Sequence, residues 1–122
     1  GSFDAGFGTA LLARLVGERK AREIWMLCRR YSAEEALAMG LINAVVEPDQ
    51  LMPEANRWAG EILALSPTAL KLVKHSFNAD TEHMAGLTDL AFGGLRLYYT
   101  TPESNEGHRA FVEKRTPRWS GR

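Results

Sequence analysis

The stretch that decides the fold is Ser32-Ala33-Glu34-Glu35-Ala36-Leu37-Ala38-Met39-Gly40-Leu41-Ile42-Asn43-Ala44-Val45-Val46-Glu47-Pro48. Its first half spells a capping box, with Ser32 set to accept from the amide of Glu35 and Glu35 to return the bond. The helix it opens stops at Gly40. Its second half, Leu41 to Val46, is an apolar, partly β-branched run closed by Glu47-Pro48, and it predicts a short strand. A lone strand cannot satisfy its own ladder groups. Its pairing partner could be upstream sequence or another subunit.

Working outward, every other segment predicts helix. Thr9–Val16 favours helix and Gly17 is placed to end it. From Glu18 to Cys28, Ala21, Ile24, Trp25 and Cys28 recur with a helical period, and Cys28 reads as a buried structural thiol closing that stripe. Glu18–Arg22 and Arg19–Glu23 have the spacing of pairs on its wet side. Pro53 suits the first turn of a helix reaching about Leu65. Ser66-Pro67 and Thr101-Pro102 each place a capping hydroxyl before a proline, opening helices through about Asn78 and Lys114. Met84–Tyr99 lies between them as another. The tail from Thr116 reads as extended. The expected class is mainly α, with one strand near 41–46.

Composition narrows the function. The 122 residues have 15 Lys+Arg against 15 Asp+Glu, so no basic excess exists to hold nucleic acid. Hydrophobic residues at 45% and charged at 25% are globular proportions. One cysteine excludes a disulfide scaffold and suits a reducing compartment. No apolar run approaches a membrane span and no signal peptide opens the chain, so a cytoplasmic protein without nucleic-acid or membrane partners is expected. His75, His83 and His108 lack the spacing and companions of a metal site, and no metal is expected.

Several residues carry two readings on spacing. Ser2 and Asp4 in the Gly-rich start are either a polar pair aimed at a small anionic or carbonyl ligand, or a tag scar and an N-cap. Lys20, Arg22, Arg29 and Arg30, and later Lys114, Arg115 and Arg118, are either solvated helix faces or anchors for ligand phosphates. Of Tyr98 and Tyr99, only one can lie fully in a core, which leaves the other phenol free as a donor.

The wording of the chain adds to this. Gly1-Ser2-Phe3-Asp4-Ala5-Gly6-Phe7-Gly8, Leu12–Gly17, Lys20-Ala21-Arg22-Glu23-Ile24-Trp25, Ala36–Asn43, Ser66-Pro67, Asn78-Ala79-Asp80, Tyr99, Glu106-Gly107 and Phe111-Val112-Glu113-Lys114-Arg115 closely resemble the crotonase superfamily. Within it the likeness is to the 1,4-dihydroxy-2-naphthoyl-CoA synthases of menaquinone biosynthesis. The stretches Ser76–His83 and Leu97–Ser104 look at least as similar to 2-ketocyclohexanecarboxyl-CoA hydrolases. A generic enoyl-CoA hydratase or isomerase and a purely helical oligomerisation module complete the alternatives.

The resemblance implies the C-terminal portion of a ββα spiral fold: 1–50 would end the spiral core and 51–122 would form the helical region that covers the site and mediates oligomerisation. The upstream core would carry the oxyanion hole and the position that decides the base. The resemblance further implies a lyase acting on a CoA thioester, with no tightly bound cofactor and with bicarbonate as a base in one subgroup. Ser2, Asp4 and Tyr99 match the catalytic positions, and Ser2, Tyr99 and Lys114 the substrate-binding ones, with Lys114 at the CoA phosphates. Trp25 matches a tryptophan beside the bicarbonate. The expected assembly is a homotrimer or a dimer of trimers.

Overall fold

The structure, a computed structural model, describes residues 8–119. Among them, seven α-helices follow one another: α1 (Gly8–Val16), α2 (Glu18–Leu27), α3 (Ala33–Ala38), α4 (Leu51–Leu63), α5 (Pro67–Ala79), α6 (Gly86–Tyr99) and α7 (Pro102–Val112). Two single 3-10 turns, Pro48–Gln50 and Glu82–Met84, precede α4 and α6. The mainly helical expectation holds.

The local signals behave as their chemistry requires. Ser32 Oγ accepts from the Glu35 amide at 3.2 Å, and Glu35 Oε2 accepts from the Ser32 amide at 2.7 Å. Ser66 and Thr101 cap α5 and α7 by accepting from Ala69 and Ser104, each followed by proline at the first helical position. Gly40 ends α3 with φ +76°, its amide bonding Leu37 and the Leu41 amide reaching back to Ala36. That pair of bonds is a Schellman motif, which favours glycine because only glycine adopts positive φ freely.

The strand expected at Leu41–Val46 does not form; no strand exists among the described residues. The reason is the one that made it suspect. Extended backbone gains its stabilisation from a neighbouring ladder, and no described segment supplies one. Leu41, Ile42, Val45 and Val46 remain exposed on an irregular connection.

The described residues form two compact units, one of residues 30–83 and one of residues 8–29 with 84–119. The first contains α3, α4 and α5. On α4, Glu54 accepts from Arg57 at 2.6 and 2.8 Å and from the Trp58 indole at 2.7 Å, and Arg57 also bonds Glu61. In the second unit α1 packs on α2, and α6 on α7.

Among the described residues only Ala21, Met84, Ala91 and Ala110 are buried, while large side chains such as Leu63 (84% exposed) and Phe111 (85%) face outward. Among the described residues much apolar side-chain surface is thus left uncovered.

Cys28 corrects its expectation. It is exposed, because α2 ends at Leu27 and Cys28 takes a left-handed conformation (φ 50°) that swings it off the stripe of Ala21, Ile24 and Trp25. Its thiol donates to the Trp25 carbonyl at 3.5 Å. On the wet face Glu18 pairs with Arg22 as expected, but Glu23 takes Lys20 at 3.1 Å and Arg29 at 3.5 Å in place of Arg19.

Candidate active site

The turn between α6 and α7 positions Tyr99. Thr101 Oγ1 donates to the Tyr98 carbonyl at 2.6 Å, Thr100 Oγ1 to the Leu97 carbonyl at 2.7 Å, and Ser104 Oγ to the Thr101 carbonyl at 2.9 Å. The first two of these bonds satisfy carbonyls that α6 leaves open at its C-terminus, and the third lies in the first turn of α7. Tyr98 is half-buried and Tyr99 is 63% exposed, with ring centroids 5.8 Å apart and planes tilted by 58°. Neither tyrosine lies in a core, and the Tyr99 ring is the more open one. It lines a groove of about 470 Å³, shared with Ser104, His108, Phe111, Arg115 and Trp119.

The far wall of that groove is built by a chain reversal. Lys114 follows the end of α7 with φ +52°, its amide bonds the Phe111 carbonyl at 3.2 Å, and the Arg115 amide reaches Ala110 at 3.0 Å. This is the Schellman geometry of Gly40 with lysine in the glycine place. The tail then runs back along α7. Glu106 receives Arg115 through two parallel bonds of 2.6 and 3.0 Å, and the Arg118 amide at 2.7 Å. A helix continued to Arg118 would carry it about 18 Å from Glu106.

These donors hold the Glu106 carboxyl well below its ordinary 4.5, at about 2, the Arg115 hydrogen bonds contributing most. Arg115 is committed on every nitrogen, since Nε also donates to Glu113 at 2.5 Å and Nη1 to the Thr116 carbonyl. Lys114, one residue earlier, is exposed and has no ion-pair partner among the described residues.

Trp25 lies elsewhere. It lines a second groove, of about 530 Å³, between α1 and α2 with Thr9, Arg14, Glu18 and Arg22. Its ring packs so closely on Gly8 that an added Cβ there would lie 2.9 Å from Cζ2. The indole Nε1 is buried and has no hydrogen-bond partner among the described residues. A buried donor without an acceptor costs on the order of 1–3 kcal/mol, so this one suits a small oxygen ligand. Ser2 and Asp4 lie outside the described residues.

Glu106 and Arg115 are the pair the sequence reading passed over as partners. Both stood in stretches it singled out, but a nine-residue separation is no helical spacing. His75, His83 and His108 are exposed, and the described residues hold no cluster able to ligate a metal.

All of residues 1–122 match the family described as enoyl-CoA hydratase/isomerase. The chain belongs to that family.

Solved structures agree. The enoyl-CoA hydratase/isomerase from Pseudoalteromonas atlantica T6c is 29% identical, with a TM-score of 0.83 over 90% of this chain and 45% of its own. A carnitinyl-CoA dehydratase from Mycobacterium avium 104 is 26% identical, with a TM-score of 0.82 over 94% of this chain and 46% of its own. The enoyl-CoA hydratase from Bacillus anthracis is 34% identical, with a TM-score of 0.59 over 97% of this chain and 46% of its own. The chain therefore spans a little under half the length of the enoyl-CoA hydratase/isomerase family members it matches. Among the described residues no helix is long and apolar enough to cross a membrane.

Proposed function

We propose that this chain is the C-terminal part of an acyl-CoA-processing enzyme, and specifically of a 1,4-dihydroxy-2-naphthoyl-CoA synthase that closes the ring of o-succinylbenzoyl-CoA. The observation that carries the reading is the open Tyr99 phenol on its groove, at a position matching a family tyrosine that acts on the reacting end of the substrate. A base would remove a proton alpha to the thioester, and the enolate carbon would attack the second carboxyl carbon. Loss of water would then leave the aromatic ring.

In this reading Tyr99 assists the proton transfer, Ser2 holds the substrate carboxyl and Asp4 acts beside it. Lys114 contacts the CoA phosphates. Bicarbonate, when bound, supplies a proton acceptor. The Nε1 of Trp25, without a partner among the described residues, is the donor that would hold it. Enolate stabilisation by oriented amides is usually the largest catalytic contribution. The resemblance assigns those amides to an upstream core, so the 122-residue chain by itself is expected to be inactive.

A second reading is kept by Ser76–His83 and Leu97–Ser104, whose wording is as near to 2-ketocyclohexanecarboxyl-CoA hydrolase. Ring opening and ring closure pass through related enolates and would use the same tyrosine. The test is to supply the intact enzyme with o-succinylbenzoyl-CoA, 2-ketocyclohexanecarboxyl-CoA and crotonyl-CoA. Turnover of the first supports the synthase and of the second the hydrolase; hydration of crotonyl-CoA with neither would overturn both.

A further inference from the structure

Glu106 carries more than a helix needs. Its side chain is only 14% exposed, yet it gathers both terminal nitrogens of Arg115, the Arg118 amide, and Arg109 at 3.7 Å. Arg115 in turn has every nitrogen engaged, four of its five N–H groups being held by Glu106, Glu113 and the Thr116 carbonyl. Lys114, beside this knot, is exposed and has no ion-pair partner among the described residues, and its backbone stands in the left-handed region at φ 52°. A residue with a Cβ is disfavoured there and persists only where its surroundings over-determine it. The over-determining contacts are the ones Arg115 makes, immediately after it. The bidentate fork fixes the guanidinium in plane and distance, and with it the backbone next to Lys114.

We propose that Glu106 is a positioning residue for Lys114: by clamping Arg115 it holds the left-handed turn that presents the Lys114 ammonium to the phosphates of a CoA thioester. The inference rests on the assignment of Lys114 to those phosphates. It gives Glu106 a share in CoA affinity without contact to CoA.

The experiment titrates the intact enzyme with coenzyme A and with pantetheine, which lacks the nucleotide phosphates. Wild type, Lys114→Ala, Glu106→Gln and the double variant are compared. Each single variant should weaken coenzyme A by roughly tenfold and leave pantetheine unchanged, and the double variant should bind no worse than Lys114→Ala, as coupled residues do. In turnover, Glu106→Gln should raise KM and leave kcat.

If Lys114→Ala weakens coenzyme A and Glu106→Gln does not, the clamp is overturned while the phosphate contact stands. If Lys114→Ala changes nothing, the phosphate contact fails and the proposal falls with it. Equal losses for coenzyme A and pantetheine in Glu106→Gln would reduce Glu106 to a general structural role. Should Glu106→Gln not fold, Arg115→Lys keeps the charge but loses the fork, and must give the same selective loss for the proposal to survive.

Discussion

Arg115 lies across the carboxylate of Glu106, nine residues back in the chain, with Nη1–Oε1 at 2.6 Å and Nη2–Oε2 at 3.0 Å. This bond returns the tail to α7 and gives the Tyr99 groove its second wall.

The Glu106 carboxyl, lowered to about 2 from 4.5 by Arg115 and the Arg118 amide, makes the tail acid-sensitive. With the folded pKa below the unfolded one, the contribution is fully present above about 4.5 and is lost as pH falls toward 2. A carbon NMR titration should show a Glu106 midpoint near 2, and Glu106→Gln should remove this part of the acid transition. A midpoint at the ordinary value would mean that the fork is not held in solution.

Lys114→Gly should raise the melting temperature, since glycine carries no penalty at φ 52°. Relief of a single left-handed residue is worth about 1 kcal/mol. The same variant should bind coenzyme A more weakly, so stability and affinity move in opposite directions. A drop in melting temperature would show that the lysine stem contributes packing that outweighs the strain.

Gly8→Ala should loosen α1 on α2, because the new methyl would sit 2.9 Å from the rigid Trp25 ring. Overpacking of this kind costs roughly 1–3 kcal/mol, more than the helix propensity alanine would add. Near-ultraviolet circular dichroism of the indole and a thermal melt would both register it; an unchanged Trp25 signal would contradict the contact.

The crossed pair Tyr99→Phe and Lys114→Ala separates chemistry from binding in the intact enzyme. Tyr99→Phe should lower kcat and kcat/KM together by about 10²-fold, as loss of a positioned proton donor does. Lys114→Ala should raise KM with kcat unchanged, a contact equal in ground and transition states. Wild-type kcat in Tyr99→Phe would leave the tyrosine a packing residue.

The exposed Phe92 and Leu97 on α6 accord with the expected trimer or dimer of trimers. Light scattering of the purified chain at micromolar concentration should therefore give a multiple of 13.6 kDa, and a strictly monomeric, well-folded species would refute the association.

By itself the sequence determined where helices start and stop. Ser32, Ser66-Pro67, Thr101-Pro102 and Gly40 act on amides and carbonyls within a few residues of themselves, so their effect is written locally. It also carried the family wording that matches over the whole chain. Tertiary structure decided what depends on distant partners. Leu41–Val46 has the composition of a strand but no ladder, so it stays irregular. Cys28 has the period of a core residue, and the left-handed turn after α2 turns it outward. Glu106 and Arg115 meet because the chain doubles back at Lys114, and no periodicity in the sequence encodes a reversal that brings the Arg118 amide within 2.7 Å of a carboxylate twelve residues earlier.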